Sequence, residues 1–247
     1  MAKVFMTCAL IFLISAAVYA ETPNPACKDN PDGVVKDYYS NGRLKTEWGC
    51  RNGQLNGITR FYYESGVLQA ETNYIDDKAM GMSRTYYENG NIQSETSYYD
   101  GKAEGTSRTY YKNGNLQSET NYSNGKAEGV SRSYYESGAL MQILSFKGNL
   151  REGIGRTYYD NGSIEKEVNY HDGRAVGISR TYYENGNIRG DANYKDGRLD
   201  GIAREYYDSG EIKYVDTYKD GEHIDRKEYD KQGRLKSDQD YSYNAGK

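Results

Sequence analysis

The chain has 247 residues, with 36 acidic and 32 basic side chains for a formal charge of −4, 28 tyrosines, one tryptophan and a mean hydropathy of −0.97. The acidic balance argues against a nucleic-acid backbone as ligand, because phosphate binding needs a basic patch. The scarcity of large aliphatic residues argues against a thick layered core, and the aromatic content argues against disorder.

The opening stretch "MAKVFMTCALIFLISAAVYA" carries Lys3, an apolar run too short to span a bilayer comfortably, and small residues up to Ala20. It predicts a cleaved secretory signal over residues 1–20 and an exported destination, periplasmic, secreted or at the cell surface. Residues 21–33 form an N-terminal segment that contains Cys27. Once the signal is removed, Cys27 and Cys50 are the remaining cysteines. An even pair in an exported chain predicts a disulfide. Its place at the start of the array predicts a clasp on that end, contributing about 3 kcal/mol in the chain-entropy account.

From residue 34 the sequence repeats. Tyr-Tyr pairs from Tyr38-Tyr39 to Tyr206-Tyr207 recur every 24 residues, each followed three residues later by a Gly that Asn or Ser precedes. A second Gly column runs from Gly57 to Gly201 and an Arg column from Arg60 to Arg204. A fixed period of this length marks a repeat architecture. Each copy holds two short runs rich in Tyr, Thr, Ile and Val around the Asn-Gly or Ser-Gly, which is a hairpin signal. With Asn89-Gly90 as a two-residue loop, Tyr87 faces Ile92, Ser83 faces Thr96, Gly81 faces Tyr98 and Arg84 faces Glu95; a three-residue loop with a bulge stays open, chiefly for the Ser-Gly copies. The same count pairs Arg60 with Glu71, Arg108 with Glu119, Arg156 with Glu167, Arg180 with Asp191 and, in the first copy, Lys36 with Glu47. Opposite charges across a strand pair form a structural ladder that fixes register. A second tight turn at Asp100-Gly101 and its counterparts joins the hairpins into a meander, and Gly81 leaves room for a Tyr ring. Both faces are mixed in polarity. The prediction is all-β: tandem 24-residue hairpins in one elongated, twisted antiparallel sheet over 34–235, about eight copies plus a degenerate last one. A tail follows over 236–247. The charged last copy reads as an end cap that discourages strand addition.

The stretch "GTSRTYYKNGNLQSETNYSNGKAEG" resembles the MORN-variant repeat, and the likeness runs from about Val34 to Leu235. Its pieces are Gly-x-x-Arg-x-Tyr-Tyr, Asn-Gly-x-Ile/Leu, Glu-x-x-Tyr and Asp-Gly-Lys-x-x-Gly. The resemblance implies β-hairpin arrays without catalytic activity. It also implies kinship with bacterial members assigned as antitoxins, which neutralise a partner protein by binding it.

Chemistry is sparse. His171 and His223 are the only histidines and occupy different places in the period. No Cys/His cluster has zinc spacing and no Gly-rich phosphate loop precedes a helix. No enzyme activity, metal or cofactor is expected. One copy departs from the pattern: Ile143 replaces the ladder Glu and Phe146 replaces Tyr. The expected register sets Ile143 between Arg132 and Ile154, and Met141 opposite Tyr134. Tyr134, Met141, Ile143 and Ile154 are therefore candidates for an apolar partner-binding patch. The expected function is protein–protein binding by an exported scaffold, in an antitoxin- or immunity-like role. The alternative is a carbohydrate or cell-wall binding module that uses Tyr ladders. Neither nucleic acid nor, after signal cleavage, a membrane is an expected partner; a homodimer through sheet edges or faces is compatible with the sequence.

Overall fold

The computed structural model describes residues 25–241. The expected signal and the end of the tail lie outside that range. Within it the chain forms 24 strands hydrogen-bonded into one antiparallel sheet, open and not closed into a barrel. Among the described residues two compact units are distinguished, divided between Gly105 and Thr106. Each of the first six copies contributes a six-residue strand such as Gly81–Tyr86, an eight-residue strand such as Ile92–Tyr99, and a two-residue strand such as Lys102–Ala103; further on, the nine-residue strand Arg198–Tyr206 takes the place of a two- and a six-residue strand.

The hairpin register is Gly81↔Tyr98, Ser83↔Thr96, Arg84↔Glu95 and Thr85↔Ser94, but then Tyr86↔Ile92. The loop differs from the expected two residues. Gly90 N–H donates to Tyr87 O and Tyr87 N–H to Asn91 O, both at 2.8 Å, so Glu88-Asn89-Gly90 is a three-residue loop with Gly90 at φ +87°. The Ser-Gly loops at Gly66 and Gly138 bond in the same way. A β-bulge on the return strand absorbs the extra residue: Gln93 has no direct partner, and pairing beyond it is restored. Loop and bulge cancel, which is why the ladder pairs emerge from a count based on the wrong turn. The tight type I′ turns sit instead at the second connection, where Asp100 and Gly101 have φ +50° and +77°, and Asn124 and Gly125 +54° and +78°.

Gly81 also has a different cause from the one expected. A Cβ there would meet nothing within 4 Å, so no ring excludes it; its φ of +83° does.

In the first unit a small core covers one face. Cys27, Cys50, Leu55, Tyr74, Ala79 and Tyr98 are buried together, with Val35, Trp48 and Ala103 packed against them. Cys27 and Cys50 are disulfide-bonded, and Cys27 lies on the short helix Pro25–Asp29. Burial pushes the Tyr74 hydroxyl up to about 12. Beside the core run small side chains, Thr59, Thr72, Ser83 and Thr96, all buried. In the second unit the buried residues include Ser118, Ala127, Val168, Ser179 and Asp216. Small hydroxyls and alanines at these places let neighbouring strands carry large rings without a second layer.

Candidate functional site

The face opposite the core is built from three residues of each six-residue strand, taken alternately because side chains on a strand alternate sides. In the first unit these are Ile58, Arg60 and Tyr62, then Met82, Arg84 and Tyr86.

The arginines form the expected ladder within hairpins: Arg84 Nε lies 3.0 Å from Glu95, Arg156 Nε 2.8 Å from Glu167, Arg60 Nε 3.7 Å from Glu71, Arg108 Nε 3.8 Å from Glu119, and Lys36 Nζ 3.0 Å from Glu47. Sequence reasoning missed that each carboxylate also faces the next hairpin. Glu47 lies 3.6 Å from Arg60, Glu119 3.2 Å from Arg132, and Asp191 3.0 Å from Arg204. Arg180 is opposite Asp191 in register, yet Asp191 pairs with Arg204 and Tyr206 instead. The signal was present as a constant offset between each acid and the following Arg, but reading it required the pairing between hairpins.

The tyrosine pairs divide their work. Tyr62, Tyr86, Tyr182 and Tyr206 donate their hydroxyls to Glu47, Glu71, Glu167 and Asp191 of the preceding hairpin. Burial, joined by that carboxylate, raises all four hydroxyls above the ordinary phenol value. The second tyrosines of the pairs, among them Tyr39, Tyr63, Tyr111, Tyr135, Tyr159 and Tyr183, donate forward to the next copy's backbone carbonyl at 2.6–2.7 Å. The Lys36 hydrogen bond holds Glu47 below the usual carboxylate range, and that of Arg156 does the same for Glu167. These acids are ion-pair partners, not proton donors poised near neutrality.

The candidate patch is arranged differently from the expectation. Ile143 lies between Arg132 and Arg156, not beside Ile154, whose partner is Asn169. Arg132 loses nothing to Ile143, since it pairs with Glu119. Met141 is the bulge residue and is not opposite Tyr134, which pairs with Leu140. For Met141 the reason is the loop-and-bulge geometry within the hairpin; for Ile143 it is a two-residue shift of register between Phe146↔Arg151 and Ile143↔Arg156. Tyr134, Met141 and Ile143 are half-buried, whereas Ile154 is 52% exposed.

Ile154 belongs to a row that the sequence reading did not isolate. Val34, Ile58, Met82, Val130, Ile154, Ile178 and Ile202 hold the same place in the period and are all exposed, with Thr106 the one interruption. The signal was an aliphatic residue directly after each Gly of the second column except Gly105.

Glu152, His171 and Asp172 come within 4.8 Å of one another, a spacing that suits a metal ion. Two other copies explain the cluster without one. Glu152 accepts Asp172 N–H as Asp200 accepts Asp220 N–H, each at 3.1 Å, and His171 bonds Glu152 where Lys219 bonds Asp200. Glu128 accepts Gly148 N–H in the same way. These acids brace the next turn.

The last copy holds a further cluster. Asp216 accepts Arg226 through both oxygens, at 2.7 and 2.9 Å, and His223 Nε2 lies 2.7 Å from one of them. The His223 ring stacks on Tyr218 and tilts against Tyr241.

The profile of the MORN repeat variant matches eight segments: residues 31–48, 55–76, 81–99, 103–124, 127–147, 151–172, 175–196 and 199–220. The chain belongs to this family. It is a MORN-variant repeat scaffold. No curated protein matches it. Solved structures it resembles are remote. The TcdB2-TccC3-Cdc42 complex shares 14% identity over 85% of this chain and 12% of that one, with a TM-score of 0.21. A porin-like protein from Bacteroides uniformis shares 10% over 83% and 92%, at 0.21, and the TcdB2-TccC3 complex 13% over 85% and 14%, at 0.18. This MORN-variant chain thus spans about one eighth of the first of those proteins, and likenesses at such scores carry no weight for function.

Proposed function

We propose that this MORN-variant array is a non-enzymatic, exported scaffold that binds another protein along the face bearing the Arg–acid ladder. The observation that carries the proposal is the exposed aliphatic row. Water-facing strand positions have no packing need for Val, Ile or Met in copy after copy, although β-propensity favours branched residues there. Regularly spaced apolar side chains flanked by Arg and Tyr suit a protein surface, where such residues act as anchors. The Cys27–Cys50 disulfide supports an oxidising, exported setting. Neutralisation of a toxin-like partner is the most specific form of this reading, and it rests on the family resemblance. The ladder acids support the absence of catalysis, because ion pairs and Tyr hydroxyls already occupy them. Sugar stacking finds less support: Tyr74 and Tyr98 are buried, and Trp48 packs against the cystine-centred core.

The test is affinity capture from the producing cells with wild-type protein and with the Ile154→Glu/Ile178→Glu variant. A protein retained by the first and lost by the second, with unchanged thermal melting, is the expected result. Equal retention by both, or retention of purified cell-wall glycan by both, would remove this face from the function.

A further inference from the structure

A pattern recurs at the internal junctions marked by Glu47, Glu71 and Glu167, though not where Ile143 or Val215 replaces the acid: the acid pairs with the cation of its own hairpin and also faces the cation and the Tyr hydroxyl of the next. The first and last described strands each hold one half of that pattern. At the first strand, Gly33–Tyr38, Lys36 occupies the Arg column and pairs with Glu47 of its own hairpin. Among the described residues no hairpin precedes it to supply a second acid, and Tyr38, in the column of Tyr62 and Tyr86, is 55% exposed. At the last strand, Leu235–Asp240, Asp238 occupies the acid column and lies 3.9 Å from Lys227 of its own hairpin. Among the described residues no hairpin follows it to supply a second cation.

We infer that these two edges are complementary and that a second copy of this chain adds its first strand to the last strand of another, continuing the sheet antiparallel. In the register of the internal pairing Ala70↔Thr85 and Glu71↔Arg84, Asp238 of one copy faces Lys36 of the next and Ser237 faces Asp37. The Asp238 carboxylate then accepts the Tyr38 hydroxyl, as Glu71 accepts that of Tyr86. Side chains on a strand project to the two faces of the sheet, so the edge charges that discourage indiscriminate strand addition admit here an edge of matching opposite charge. Such a contact is heterologous: each copy uses a different surface, so association is head-to-tail. It is thinner than an internal junction, because Asp230 stands where a bridging tyrosine such as Tyr207 would donate to the next copy.

Sedimentation velocity over a concentration series tests this. The wild-type protein is expected to self-associate. Asp238→Arg alone and Lys36→Glu alone place like charges across the junction, and each should weaken association roughly three- to ten-fold, the scale of an exposed pair lost and reversed. An equal mixture of the two variants should recover wild-type association, because every tail then meets a head of opposite charge. The Ile154→Glu/Ile178→Glu variant should associate like wild type, which separates this contact from the binding face. If Lys36→Glu lowers the melting temperature, Lys36→Glu/Glu47→Gln takes its place in the mixture. A monomeric wild type across the series, single variants that associate as wild type does, or a mixture no tighter than its components would overturn the proposal.

Discussion

Leu144 and Gly155 show how one position in the array answers a change at another. At the equivalent places Thr72 meets Ser83 and Thr120 meets Ser131, hydroxyl to hydroxyl at 2.6 Å. In the fifth and sixth copies the first partner has become Leu and the second has lost its side chain. A Cβ on Gly155 would lie 2.7 Å from Leu144 Cδ2 and 3.0 Å from Tyr170 Cε2. The hydroxyl bond has been exchanged for apolar volume. Gly155→Ser should therefore lower stability by about 1–3 kcal/mol through overpacking. Leu144→Thr in the same chain should return most of that loss, because it recreates the pair used elsewhere. Urea melts of the two single variants and the double variant provide the cycle; additive costs would mean that the two residues do not share the space. The substitution was readable in the sequence as two isolated oddities. Their connection was not, since it runs between hairpins and the register there depends on the second turn.

At the level of elements, the hairpins were legible because opposite charges recur at fixed offsets, and the loop was not. Asn-Gly fits a type I′ turn as well as a three-residue loop, and only the bulge at Gln93 separates them. The terminal element was less legible still, because Asp216 and Arg226 lie in columns that elsewhere hold uncharged residues, such as Thr96 and Ser83 or Ala192 and Ala203. Burial alone would raise the Asp216 carboxyl; the hydrogen bonds from Arg226 and His223 outweigh it and leave it below the ordinary value. A folded-state value below the unfolded one, about 3.9, contributes stability that is complete above that pH and is lost as pH falls through the depressed value. Hydrogen exchange in the strands Ile212–Lys219 and Glu222–Tyr229 should accordingly speed up below about pH 4. Asp216→Asn should raise exchange at neutral pH and flatten that acid limb. An acid limb unchanged by the substitution would assign the loss to other carboxylates.

For the whole molecule, the sequence conveyed the architecture through its period and left the working surface obscure. The aliphatic row alternates with charged and aromatic positions, so it resembles ordinary strand composition until the exposure of Ile58, Ile154 and Ile178 is seen. Stability in such an array is a sum of near-neighbour terms, and the ends need protection of their own. The cystine serves one end. Cys27→Ser/Cys50→Ser should cost about 3 kcal/mol in the chain-entropy account. The loss should appear as faster hydrogen exchange in the strands Gly33–Tyr38 and Leu44–Arg51, while Gly177–Tyr182 stays protected. Uniform loss of protection would mean that the array unfolds as one block. The cancellation of loop and bulge has one further consequence. Because every copy enters and leaves in the same phase, duplication or excision of a 24-residue stretch, such as the near-identical Ser83–Thr106 and Ser107–Val130, would change the span of the protein and leave every remaining strand facing the side it faces now. Recombination between such segments would act as a length dial for lineages that carry this chain.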